Sequence, residues 1–281
     1  MYLKKEKICA GDTQMSIIEN YHDIHRLAVC SDLRRNLLFS LFEGNKSLSK
    51  LRDGLKISST TAIHSLRDLE KGNLTFQDKN KNYSLTNIGR IIAMKLLDFS
   101  NAAEVLKRNE RFWLEHDLSG IPKHLMEKIG WLRNSNVAII SVLDIIKTHD
   151  SFIEFIKNAK WVKGVSPVFS SDYTNVFKKI VEKNVSTQLI LTADVLKKLT
   201  EALGVDNLKH LTHVYNLEIF VTDENIKVAF TVTDSFLSFG LFTNNGVYDI
   251  TQDLISSDDD SVHWGLELFE YYRGRAKKYD I

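Results

Sequence analysis

Residues 47–90 read SLSKLRDGLKISSTTAIHSLRDLEKGNLTFQDKNKNYSLTNIGR, and the reading of this stretch decides the fold of the N-terminal half. Its first piece, Ser47 to Gly54, carries Leu48 and Leu51, with Leu55 next on the same face, so the spacing predicts a short amphipathic helix. A turn through Lys56 and Ile57 leads to Ser58 and Ser59, whose hydroxyls can accept from the free N–H groups of a helix start. The second helix sets Ala62, Ile63, Leu66 and Leu69 on one face and stops at Gly72. Two extended runs, Leu74 to Gln77 and Tyr83 to Thr86, flank the turn Asp78-Lys79-Asn80-Lys81-Asn82. Helix, turn, helix and hairpin in this order predict a winged helix-turn-helix, a module that reads DNA.

The outward face of the second helix has the matching chemistry. Ser59, Thr60, Thr61, His64, Arg67 and Lys71 lie opposite or beside its apolar stripe, and Lys79 and Lys81 stand at the wing tip. Short hydroxyls and basic side chains donate to phosphates and base edges. Between Ser31 and Arg90 there are eleven Lys and Arg against six acidic residues, a local excess of +5 in a chain whose net charge is only +1. A basic module joined to a mildly acidic remainder is what a DNA-binding domain fused to a non-binding domain gives. The alternative for this face is a solvated helical hairpin with no partner.

At 281 residues and 43% apolar content the chain can fill two cores, and no apolar run approaches the roughly 20 residues that span a bilayer. The two cysteines, Cys9 and Cys30, show no metal-ligand spacing, and the basic start MYLKKEKICAGD lacks a signal peptide's apolar centre. A reduced, cytoplasmic location is expected. Met15 is an alternative start.

Outward from the quoted stretch, residues 1–14 lack periodicity and are expected to be poorly ordered. Residues 15–98 form the winged domain, with helices over Ser16–Ala28 and Leu33–Glu43. Thr86 caps a long helix whose Ile92, Leu96, Phe99, Ala103 and Leu106 alternate spacings of four and three, the seam of a helix that packs along another helix, pairing two subunits or packing on its own body. Residues 99–135, with the Ser-Gly-Ile-Pro break at 119–122, are expected to link the domains or pair two subunits. Residues 136–281 read as an α/β domain with a mixed sheet. Strands are expected at Val137–Leu143, Val162–Phe169 and Thr187–Leu191, followed by helices at Ser151–Asn158, Tyr173–Lys183 and Asp194–Leu203. A meander over Asn216–Val221, Ile226–Thr233 and Phe236–Thr243 and a last helix over Ser261–Lys278 complete it.

With both halves laid out, the chain resembles archaeal transcription regulators of the methanogenesis-regulator type. The runs that carry the likeness are LTNIGR at Leu85–Arg90, HDLSGIP at His116–Pro122 and WGLELFEYYR at Trp264–Arg273. The likeness covers the chain from about Met15, and its joint and its ending are more specific than LTNIGR. The resemblance implies sequence-specific DNA binding and a signal-sensing second domain, without a known ligand.

Patterns of catalysis are scarce. None of the nine histidines has a Lys two residues on, as a phospholipase D-like nucleophile requires, and no Walker loop, GxGxxG, HExxH or GxSxG occurs. No catalytic residue, metal site or cofactor is expected. Small molecules bind beyond the carboxyl ends of strands in open α/β sheets, which here means Ser170, Ser171 and Thr192, where helix N-termini favour an anion. Helix capping alone also accounts for these three. The reading is a dimeric regulator of double-stranded DNA, with a small anionic effector and no membrane partner. The rival is a phosphoester- or nucleotide-processing enzyme with an accessory DNA-binding domain.

Overall fold

The computed structural model describes residues 24–139, 159–169 and 185–280, and the chain divides into two compact units, Met1–Ser100 and Asn101–Ile281. The expected N-terminal disorder and the helices at Ser151–Asn158 and Tyr173–Lys183 lie outside the described residues, as do Ser170 and Ser171.

In the first unit the helices are α1 (residues 24–29), α2 (Asp32–Phe42), α3 (Leu48–Leu55), α4 (Ser59–Lys71) and the start of α5 (Asn87–Arg108). The strands are β1 (Lys46–Ser47), β2 (Thr75–Gln77) and β3 (Asn82–Leu85), in the antiparallel order β1-β3-β2. Leu37, Leu38 and Leu41 of α2, Leu51 of α3 and Leu66 and Leu69 of α4 are fully or almost fully buried and form one core with Leu74, Tyr83, Leu85 and Ala93. Each such leucine contributes about 1.5–3 kcal/mol on burial, so the apolar stripes are what hold the winged unit together. Three serines start the helices: Ser31, Ser47 and Ser58 accept from the backbone N–H of Arg34, Lys50 and Thr61.

The LTNIGR run closes the wing. Thr86 donates to the carbonyl of Asn73 (2.6 Å) and accepts from the N–H of Gly89 (2.9 Å), while its own N–H bonds the carbonyl of Leu74 (3.0 Å). Gly89 lies so close to the Leu74 carbonyl that a Cβ there would overlap the oxygen. Thr86 therefore caps α5 as expected, and the glycine is demanded by backbone contact.

In the second unit, α6 (Glu110–Glu115), β4 (His116–Asp117), α7 (Lys123–Met126) and a 3-10 turn (Ile129–Leu132) precede β5 (Asn136–Ile139). After these come β6 (Trp161–Ser166), β7 (Ser186–Thr192), α8 (Ala193–Leu203), α9 (Val205–Val214), β8 (Leu217–Thr222), β9 (Val228–Thr233), β10 (Leu237–Thr243), β11 (Gln252–Ser256), α10 (Asp259–Arg273) and β12 (Lys277–Lys278). The sheet runs β12-β8-β7-β6-β9-β10-β11-β5, with β4 beside β10. Strands β6, β7 and β8 are parallel and the other pairs antiparallel. The fold is α/β with a mixed sheet. Alternate side chains of a strand point to opposite faces. Ile190 and Phe220 accordingly join the core under α10, whereas Leu191, Leu217 and Ile219 join the core under α8 and α9.

Two expectations are corrected. The strand expected from Asn216 pairs parallel to β7 and is no part of a meander; the antiparallel run is β9-β10-β11. The last helix ends at Arg273, and Lys277–Lys278 return as a strand against β8. Within 99–135, Val105, Phe112, Trp113, Leu125, Ile129 and Leu132 are buried in the core that contains Trp264 and Phe269. Within the expected seam of α5, Ile92 and Leu96 pack on the winged unit's own core, the second of the two outcomes expected for this helix.

The two most specific resemblance runs meet at Gly120 and Tyr272. Tyr272 Oη donates to the carbonyl of Gly120 (2.6 Å) and Trp264 Nε1 to that of Leu125 (3.0 Å). Lys128 Nζ meets both Glu267 carboxylate oxygens at 2.7 Å, and Ser261 Oγ donates to Trp131 O. Gly120 itself abuts Val228 and Lys227 too closely for a Cβ. The last helix thus bonds to the HDLSGIP joint at Gly120 and to the residues just after it, Leu125 to Trp131.

Candidate nucleic-acid interface and strand-end crevice

The apolar face of α4 carries Ala62, Leu66 and Leu69 into the core, which turns residues 60, 61, 64, 67 and 71 outward. Thr60, Thr61, His64, Arg67 and Lys71 are all exposed on this face, and Ser59 is half-buried at its start. Ser58 makes the cap, and its Oγ lies 2.7 Å from the Thr61 hydroxyl, so Thr61 shares in the cap as well as facing out. The spacing of the buried leucines was the signal that located this face.

Some cations of this unit are held in ion pairs, whereas among the described residues those of this face, like the exposed Lys50 and Arg90, are not. Arg34, Arg35, Lys46 and Arg52 are paired with Asp68, Asp32, Glu43 and Asp53. Arg67 and Lys71 of α4 and Lys79 and Lys81 of the wing make no ion pair among the described residues, and all four are exposed. Free ammonium and guanidinium groups on one helix face and on the adjoining wing are suited to phosphates, each contact releasing counterions. Lys56, exposed in the turn before α4 at φ 55°, also lacks an ion pair among the described residues. Sequence reading passed over it because a turn residue leaves no periodic trace.

The wing tip is ordered by one side chain. Asp78 Oδ1 accepts from the N–H groups of Asn80 and Asn82 at 2.8 Å each, and Lys81 takes the left-handed conformation (φ 62°) that closes the turn. Lys79 and Lys81 are therefore carried on a fixed hairpin. Arg34 ties the preceding helix to α4: its Nε donates to Leu27 O at 2.7 Å while its Nη1 lies 3.6 Å from Asp68.

In the second unit a crevice of about 530 Å³ opens where β6, β7 and β8 end. Pro167, Thr192, Asp194, Lys198, Asp223 and Glu224 are among its lining residues. Thr192 caps α8, its hydroxyl accepting from Val195 N at 3.4 Å. The expected position at the carboxyl ends of parallel strands therefore has a cavity at Thr192. Its rim is more acidic than an anion site requires, with Asp194, Asp223 and Glu224 against Lys198.

A buried polar group lies elsewhere in this unit. His116 sets Nδ1 2.6 Å from Phe112 O and Nε2 3.2 Å from Asp249. Burial would raise the Asp249 carboxyl, but hydrogen bonds from Thr251, His116 and Gln252 outweigh it and hold it below the usual carboxylate range. Burial pushes the neighbouring Asp253 up despite its bonds from Ser238 and Tyr248. Among the described residues no group of three or more His, Cys, Asp or Glu is arranged to hold a metal, and no helix is long and apolar enough to cross a membrane.

Residues 22–102 match the N-terminal domain model of the methanogenesis regulatory protein FilR1, and residues 145–275 match its middle domain model. The methanogenesis regulatory protein FilR1 of Methanothrix harundinacea (strain 6Ac) is 28% identical over 254 residues, which are 89% of this chain and 56% of that protein. The chain thus spans little more than half the length of this curated relative. Among solved structures, TrmBL2, an archaeal chromatin protein, aligns over 89% of this chain and 94% of its own, with 16% identity and a TM-score of 0.41. The transcriptional repressor BigR from Xylella fastidiosa aligns over 34% of this chain and 95% of its own, with 21% identity and a TM-score of 0.29. The N-terminal and middle domains match in order, and the chain belongs to the family of the methanogenesis regulatory protein FilR1.

Proposed function

We propose that this chain is a sequence-specific, dimeric DNA-binding transcription regulator of the cytoplasm, with a second unit that takes up a small effector. The observation that carries the DNA reading is the set of exposed cations without ion pairs, Arg67, Lys71, Lys79 and Lys81, on α4 and the wing. In this reading α4 lies in the major groove, with Ser59, Thr60, Thr61, His64, Arg67 and Lys71 reaching base edges and nearby phosphates. Lys79 and Lys81 touch phosphates or the minor groove. The regulation of methanogenesis, for which the Methanothrix relative is named, is carried over here as part of the proposal.

For the second unit, the effector is placed in the crevice at Thr192, with Ser170 and Ser171 as further proposed contacts. Lys198 and the free N–H groups at the start of α8 favour an anionic group. Asp194, Asp223 and Glu224 oppose a purely anionic molecule, so the effector in this reading also carries donors that these carboxylates accept. A difference in its affinity for two arrangements of the protein is what would regulate DNA binding. The rival enzymatic reading has no nucleophile pattern in its favour.

Chromatin immunoprecipitation followed by sequencing tests the DNA reading. A small set of sites sharing one sequence is expected, and recovery of no enriched site in any growth condition would remove it. Thermal-shift screening of the full chain against cellular metabolites tests the effector, with Thr192→Ala and Lys198→Ala expected to weaken a true hit.

A further inference from the structure

Among the described residues, α5 leaves Ile88, Ile91, Met94, Phe99 and Leu106 exposed, and one line through this surface has a direction. Ile88, Ile92, Lys95, Phe99, Ala102 and Leu106 follow one another at four, three, four, three and four residues, the 3.5-residue period of a helix that packs along a second helix. Ile92 and Ala102 are already engaged in cores. Ile88 (50% exposed), Phe99 (70%) and Leu106 (42%) are not, and they line a seam about 27 Å long. Lys95 is exposed in the middle of this seam, and neither it nor Asp98 makes an ion pair among the described residues.

We propose that the occupant of this face is α5 of a second copy of the chain, running antiparallel, with Lys95 setting the direction. In a parallel pair every seam residue faces its own copy, so two Lys95 ammonium groups would be confronted in an apolar layer. An antiparallel pair about a two-fold axis near Leu97 removes that conflict. Ile88 then meets Leu106, and Lys95 lies over the ring of Phe99 beside the carboxylate of Asp98. A cation over an aromatic face and next to an opposite charge is favourable where two cations are not. A single charged residue in an apolar seam is a known means of fixing register and orientation at some cost in stability. The inference deepens the dimer of the proposed function and is independent of whether that dimer binds DNA.

Cysteine pairing tests it on the full chain. Cys9 and Cys30 are first replaced by Ser, and Ile88→Cys and Leu106→Cys are made separately, leaving Lys95 and Phe99 intact. Oxidation of a mixture of the two proteins is expected to give a cross-linked dimer containing one of each, while each protein alone stays uncross-linked. Adding Lys95→Leu is expected to let Ile88→Cys cross-link to itself, because the barrier to parallel pairing is gone. Self-cross-linking of Ile88→Cys with Lys95 in place would overturn the antiparallel direction. A parent that is a monomer by light scattering, or a dimer in which no seam pair cross-links, would overturn the interface itself. Neither result would touch the DNA reading, which is measured by titration.

Discussion

The outward face of α4 and the crevice at the ends of β6, β7 and β8 start from the same device and end with opposite charge. At α4 the Ser58 hydroxyl accepts from Thr61 N, and at α8 the Thr192 hydroxyl accepts from Val195 N. Each cap satisfies a free N–H of its helix start, and neither cap by itself selects a ligand. What differs is the surroundings. Around α4 the exposed charges on the outward face are Arg67 and Lys71, joined by Lys79 and Lys81 of the wing. Around α8 they are Asp194, Asp223 and Glu224, opposed by Lys198 and, at Glu224, by Arg275 at 3.8 Å. A polyanion is suited to the first place, and a small molecule rich in donors to the second.

The largest expected effect breaks this comparison from the α4 side. Arg67→Ala with Lys71→Ala should weaken specific DNA binding by about 1–3 kcal/mol for each contact that reads a base, as a filter-binding or anisotropy titration would record. Crevice substitutions Asp223→Asn and Glu224→Gln should leave that affinity unchanged in the absence of effector. An equal loss from both pairs would mean that the two regions are not distinct in role.

Next in size are the caps. Ser58→Ala and Thr192→Ala should each cost about 0.5–2 kcal/mol of stability, read by chemical denaturation. Only Ser58→Ala is expected to lower DNA affinity as well, because only α4 presents its cap to the nucleic acid.

The smallest effect concerns pH. The folded-state pKa of Asp253 is raised, so its contribution to stability is full below the unfolded carboxyl value and is lost as pH rises through the folded value. Asp249 is lowered, so its contribution is present above the unfolded value and is lost as pH falls through the folded one. In denaturation curves taken across the acid range, Asp253→Asn should remove the first dependence and Asp249→Asn the second. DNA affinity of the winged unit at a fixed pH should follow neither substitution.

Much of this contrast was legible before any coordinates. The winged unit is announced by Leu66, Leu69 and Gly72, because a helix with one apolar face and a stop has few other readings. β1 was missed because two residues, Lys46 and Ser47, hold no alternation to detect. α9 and β11 were missed where the chain turns quickly through short elements around Gly204 and Asp253. The direction of β8 was misread because a strand's own pattern does not say which neighbour it joins. The seam proposed for α5 keeps Ile92, Phe99 and Leu106 of the expected one and takes Lys95 and Ala102 in place of Leu96 and Ala103, since apolar residues such as Ile92 and Leu96 look the same whether they pack at home or on a partner. Thr192 was foreseen at a strand end, whereas the acidic rim of its crevice depends on Asp223 and Glu224, thirty residues further along the chain.

The central claim is that free cations on α4 and the wing grip a phosphate backbone. Its most direct test is the salt dependence of binding, measured for the parent and for Arg67→Ala/Lys71→Ala/Lys79→Ala/Lys81→Ala on a bound fragment and on a scrambled one. For the parent, the logarithm of affinity should fall linearly with the logarithm of salt concentration. The slope of the variant should be flatter by about 0.9 for each phosphate contact removed. Its preference for the bound fragment should shrink as well, since Arg67 and Lys71 are assigned to base edges. Identical slopes and identical preference in parent and variant would contradict the claim.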